Sequence, residues 1–181
     1  MTSHPALVAV VSLLLLHCSA NRPAVVQNST PQRVGSVLCT GRTVTSRSGW
    51  VGCQAAENIV LGNQTIPRGS TIRFHPAIDP PQIHWALEGD MTIQGHRCKA
   101  GADWGASFHA NGLLESCGLV ETEQIDGVLC AKAGFTKPTY FHENGRLRSC
   151  QLAQRTSIGA CSFAKGEIAV FDADGQPLCS R

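Results

Sequence analysis

The chain has 181 residues, of which 15% are charged and 6% aromatic, with a net charge of +2 at pH 7 and nine cysteines. That length suits one domain plus a targeting segment. So small a net charge argues against nucleic acid or an anionic membrane surface as partner. The cysteines include no Cys-x-x-Cys, which removes the usual zinc-ribbon and thioredoxin-like spacings.

Ala6 to Leu16 is apolar apart from Ser12, right for a signal-peptide core and too short to span a bilayer. Residues 1–20 therefore read as a signal peptide, with Cys18 and Ala20 as the small residues before cleavage, although no Lys or Arg precedes the apolar run. The alternative is a lipoprotein signal ending before a lipidated Cys18, where His17 takes a place that normally holds a small residue. Both routes leave eight cysteines in an oxidising compartment: secreted, periplasmic, or on the outer membrane. No other stretch approaches membrane length, so no transmembrane span is expected. Residues 21–36 are polar, carry Pro23 and Pro31, and read as a flexible tether to a folded domain over 37–181.

That domain repeats itself. Phe108-His109-Ala110-Asn111-Gly112, Phe141-His142-Glu143-Asn144-Gly145 and Phe171-Asp172-Ala173-Asp174-Gly175 share one signature, and a degenerate copy starts at Phe74-His75. The four phenylalanines are 34, 33 and 30 residues apart. Asn-Gly and Asp-Gly are strong hairpin signals because both residues tolerate positive φ. A two-residue turn at Asn144-Gly145 would pair Phe141 with Arg148. A three-residue loop with Gly145 left-handed pairs Phe141 with Leu147 and, likewise, Phe108 with Leu114, keeping large apolar groups on one face. The second choice is preferred. Second hairpins are expected to turn around Glu121–Gln124 and Arg155–Thr156. No helical period is evident. The predicted fold is all-β: an array of hairpins, ~33 residues per unit, in a meandering or rolled sheet.

The cysteines follow the same frame. Cys53, Cys117 and Cys150 sit two positions before a unit's leucine or its equivalent; Cys98 and Cys130 lie eleven after it, with Cys39 in the first partial unit. Two local pairings are open. Late-to-next-early pairing gives Cys39–Cys53, Cys98–Cys117, Cys130–Cys150 and Cys161–Cys179; pairing within a unit gives Cys117–Cys130. In the degenerate unit the corresponding positions hold Ile66 and Trp85. Only the first scheme makes these two partners, losing one whole bridge and orphaning no cysteine. It is the expected pairing.

The string Phe141-His142-Glu143-Asn144-Gly145-Arg146-Leu147-Arg148-Ser149 resembles the aromatic-x-x-Asn-Gly-basic-Leu-basic-Ser pattern of bacterial MORN-like repeats, many of them described as antitoxin-type repeat proteins. The resemblance covers about ten residues in each of two or three units. It implies β-hairpin arrays used for binding or scaffolding. This chain departs from it by its cysteines and longer spacing, so the antitoxin role does not carry over.

Candidate chemistry is sparse. Stacking would bring His75, His109 and His142 into a ladder able to bind zinc or copper, with Asp172 in the fourth copy. The plainer reading is that each caps its own hairpin or packs on a phenylalanine. Trp50, Trp85 and Trp104 are either core filler or the lining of a carbohydrate or peptide groove. Asn28-Ser29-Thr30 and Asn63-Gln64-Thr65 are sequons, meaningful only in a eukaryotic secretory route. Gly-x-Ser-x-Gly, His-Glu-x-x-His, P-loop and Gly-x-Gly-x-x-Gly motifs are absent; His142-Glu143 meets Arg146 where a zincin needs histidine. Glu121 and Glu123 read as a solvated turn. The expectation is an exported, non-enzymatic β-repeat protein without cofactor. Its role would be structural or interactive at the cell envelope or outside, with an envelope or protein partner. A secreted binding module or protease inhibitor presenting Ala131–Pro138 comes second, and an envelope hydrolase third.

Overall fold

The structure, a computed structural model, describes residues 24–134 and 137–179; the side chains of Ala24, Asn28, Ser29, Ala102, Asp103 and Trp104 lie outside that description. Among the described residues every helix or strand element is a strand. β1 (Ala24–Val34), β2 (Val37–Thr45) and β3 (Val51–Ala55) open an antiparallel sheet, which the chain then leaves to form the hairpin β4 (Ile59–Leu61) and β5 (Gln64–Ile66). β6 (Thr71–Phe74) and β7 (Ile83–Leu87) return to the sheet, and β8 (Met91–Ile93) with β9 (His96–Cys98) leaves it again. The alternation continues through β10 (Gly101–Phe108), β11 (Leu114–Cys117), the hairpin β12 (Glu123–Ile125) and β13 (Val128–Cys130), then β14 (Thr139–Phe141) and β15 (Leu147–Gln151). The hairpin β16 (Thr156–Ile158) and β17 (Cys161–Phe163) precedes the last sheet strand, β18 (Ile168–Val170). The result is an open ten-stranded meander, with four small hairpins set beside it. The all-β, disulfide-stapled hairpin fold expected from the sequence is the one observed.

Strand alternation sorts the side chains into two faces. On the inner face, Val51, Phe74, Ile83, Phe108 and Leu114 are successive cross-strand partners, and all are buried. Leu61, Ile66, Ile93, Ile125, Cys130 and Phe163 from the small hairpins join the same core. The hairpins thus cover the inner face that the sheet alone would leave wet. Phe108 pairs with Leu114 and Phe141 with Leu147, the register chosen above to keep both on one side. His142 N–H donates to Arg146 O and Gly145 N–H to His142 O; Gly145 takes φ +81°, closing a three-residue loop.

Two expectations are corrected. Residues 24–34 are not a loose tether: they form β1, antiparallel to β2, so the folded part begins well before Val37. Pro31 is tolerated because β1 is an edge strand whose register shifts between Asn28 and Gln32. The second hairpins turn at Asp126-Gly127 and Gly159-Ala160, while Glu123, Gln124 and Thr156 lie inside strands. Asp126 and Gly127 both take positive φ, at 50° and 82°, as a two-residue type I′ turn demands. Residues 1–20, with Cys18, lie outside the described residues.

The disulfides are Cys39–Cys53, Cys98–Cys117, Cys130–Cys150 and Cys161–Cys179, each joining a late cysteine to the next early one. Cys98–Cys117 ties the β8–β9 hairpin to β11 and Cys130–Cys150 ties the β12–β13 hairpin to β15, in each case the second sheet strand after the hairpin. Lys99 N–H to Gly118 O and Ala131 N–H to Gln151 O run beside them, so bridge and backbone bonds fix the same contact. Ile66 and Trp85 hold the bridge-free positions and are both buried.

Candidate functional site

The outer face of the sheet is open. Val25, Val44, Gly52, Arg73, His84, Ser107, Ser116, Tyr140, Ser149 and Val170 form one cross-strand row over all ten strands. Over β2, β3, β6, β7 and β10 this face sinks into a groove of about 930 Å³. Arg42, Trp50, Gln54, Thr71, Arg73, His84 and Ser107 line it. The register of β2 shifts between Thr40 and Val44, and that of β10 between Gly101 and Ala106. Such irregularities bend strands and are common beside binding sites.

The groove sets cationic and hydrogen-bonding side chains on a largely apolar floor that includes Val44, Cys53 and Ile72. Arg42 and Arg73 are exposed, and neither guanidinium has a hydrogen-bond or ion-pair partner among the described residues. Among the described residues no carboxylate lines the groove. His84 Nδ1 lies 3.0 Å from Ser107 Oγ across the β7–β10 pair. Trp50 is half-buried at the rim, its ring perpendicular to that of His75 with centroids 6.0 Å apart. Of the tryptophans singled out from the sequence, Trp50 lines the groove and Trp85 is in the core; the Trp104 side chain is outside the description.

The histidines of the repeated signature do other work. His109 Nε2–H donates to Phe141 O and His142 Nε2–H to Phe171 O, each at 3.0 Å. A carbonyl only accepts, so the proton sits on Nε2 in both. Asn111 Nδ2 donates to Glu143 O and Asn144 Nδ2 to Ala173 O, at 2.7 and 2.8 Å. Each turn is therefore strapped to the next by one imidazole and one amide. Of the two plainer readings, capping its own hairpin or packing on a phenylalanine, the first is corrected: each imidazole donates to the next turn instead. His75 does not join: it packs on Trp50, and its buried Nδ1 has no hydrogen-bond partner among the described residues. Among the described residues no three of His, Cys, Asp or Glu converge as a metal-ligand cluster, and His75, His109 and His142 are not brought together as one.

The remaining candidates fall elsewhere. Glu123 is not a solvated turn residue: it is half-buried, 2.6 Å from His96 Nδ1, and the His96 ring lies 4.6 Å from that of Phe141. Glu121 pairs with Arg97 at 3.5 Å on the exposed rim. Asn63 of the second sequon is exposed at the tip of β4–β5; the Asn28 side chain is outside the description. The loop 131–138 includes two residues outside the description, Phe135 and Thr136, and Ala133 N–H is anchored on Leu119 O. No helix among the described residues is long and apolar enough to cross a membrane. Neither a known protein family nor a curated protein nor a solved structure matches this chain.

Proposed function

We propose that this is an exported, non-enzymatic binding protein that works through the outer groove of its sheet. The observation that carries the reading is the groove: five neighbouring strands present arginines and hydrogen-bonding groups, with Trp50 beside them, on a face that no other described element covers. Four disulfides fit an oxidising compartment, and the apolar run Ala6–Leu16 supplies a route to one, by signal cleavage or by lipidation at Cys18. Hairpin arrays of the MORN-like kind, which the Phe141–Ser149 string resembles, have binding and scaffolding roles consistent with this.

The test is residue-resolved NMR of the oxidised chain against arrays of peptides and glycans. Ligands should move resonances of β2, β3, β6, β7 and β10. Hits mapping only to the small hairpins would overturn the reading. Mass spectrometry of the mature protein separates cleavage after Ala20 from diacylation at Cys18. One observation favours a second reading, an envelope hydrolase: Ser107 and His84 are in hydrogen-bond contact inside the groove. Covalent labelling of Ser107 by a fluorophosphonate, lost in His84→Ala, would favour that reading.

A further inference from the structure

We infer that the groove's ligand is an acidic oligosaccharide, a run of sugars bearing carboxylates. This rests on the binding reading above and narrows it to a chemical class.

Charge comes first. Arg42 and Arg73 present two guanidinium groups, and among the described residues no acid lines the groove to neutralise them. An unpaired arginine fork matches a carboxylate in two-point geometry. β2 and β6 are separated by β3 alone, so their backbones stand two strand spacings, about 10 Å, apart. An extended ligand crossing the strands can therefore meet both arginines with charges on non-adjacent units.

The class of backbone follows from where the groove lies. An extended peptide gains affinity by adding a strand at a sheet edge, using free backbone groups. Here the groove is on the sheet's face, and the strands beneath it are paired on both sides. No backbone ladder is offered, so recognition falls to side chains. Gln54, Thr71 and Ser107 supply hydroxyl and amide groups suited to sugar hydroxyls. Trp50 at the rim offers an apolar ring face with a polar N–H edge, the surface on which a pyranose stacks.

The experiment titrates the oxidised full chain with three probes: a galacturonate oligomer, its carboxyl-reduced counterpart, and poly-glutamate of similar length. The uronate should bind, weakening as salt rises. Arg42→Gln and Arg73→Gln should each weaken it by about tenfold or more, as expected for a lost charged hydrogen bond. Arg73→Lys should recover part of that loss, and Trp50→Ala should abolish binding. Circular dichroism of each variant checks folding. If the carboxyl-reduced sugar or poly-glutamate binds as well as the uronate, and Trp50→Ala still removes it, the acidic-sugar inference fails and the groove reading stands. If no probe binds, the acidic-sugar inference falls alone; if binding ignores all groove substitutions, the groove reading falls with it.

Discussion

Ile66 and Trp85 stand where other copies carry a bridge, so Ile66→Cys combined with Trp85→Cys should create a fifth disulfide. Ile66 ends β5 as Cys98 ends β9 and Cys130 ends β13; Trp85 precedes Leu87 by two as Cys117 precedes Leu119. The existing bridges have Cα–Cα separations of 5.5 to 5.8 Å, inside the usual range, and the copied backbone should place positions 66 and 85 alike. The new loop would have the 19-residue separation of Cys98–Cys117, for which chain entropy gives about 3 kcal/mol. Against this stands lost packing. Ile66 is 0% and Trp85 6% exposed, and truncation to alanine at such sites costs about 2–5 and 3–5 kcal/mol. The cysteine pair should therefore be less stable than the parent. It should exceed the Ile66→Ala/Trp85→Ala pair by about 3 kcal/mol. Urea unfolding of both without reductant measures the difference, and peptide mapping without reduction identifies the bridge. Free thiols at both positions in a folded chain, or equal stability of the two pairs, would refute the register of the cysteine frame.

Gly112 and Gly145 share φ +81°, but a Cβ at Gly112 would lie 2.2 Å from Leu61 O, while at Gly145 the nearest atom is Leu113 Cδ1 at 3.9 Å. Gly145→Ala should cost about 1 kcal/mol of backbone strain and Gly112→Ala about 3 or more; equal costs by denaturant unfolding would mean that the β4–β5 tip moves aside. Asn144→Asp keeps the oxygen that accepts Arg146 N–H and loses the donor to Ala173 O, so it should cost about 1 kcal/mol and Asn144→Ala about 2, measured by thermal unfolding. Phe141→Ala should cost about 3–5 kcal/mol. Its neighbour Tyr140, on the outer face and 37% exposed, should cost about 0.5 or less.

The inner face was legible because large residues recur at the same place in each copy: once Phe141 must share a face with Leu147, the loop length follows. The small hairpins were harder. Three-residue strands are too short to display a period, and Asp126-Gly127, itself a strong turn signal, lay beside the more conspicuous acidic pair Glu121 and Glu123. β1 was hidden by its polar composition, which an edge strand tolerates on both sides. The groove could not be read at all. Arg42, Arg73, His84 and Ser107 come from four separate strands, with no motif spacing between them, and only the cross-strand register makes them neighbours.

The straps between turns all point one way. His109 and Asn111 donate towards the turn at Phe141, and His142 and Asn144 towards the turn at Phe171. In the last turn both donors become Asp172 and Asp174, and Asp172 Oδ1 instead accepts N–H groups of Asp174 and Gln176 within its own loop. A carboxylate has nothing to give to a further carbonyl. The array thus has a polarity, like a polymer with one reactive and one blocked end, and the turn at Phe171 is the blocked one. Extra copies inserted before Phe171 would be accepted as links; a copy appended after Gly175, or a second molecule stacked there, would meet repulsion. Asp172→His with Asp174→Asn would unblock that end, and a concentration-dependent growth in size by sedimentation would report it.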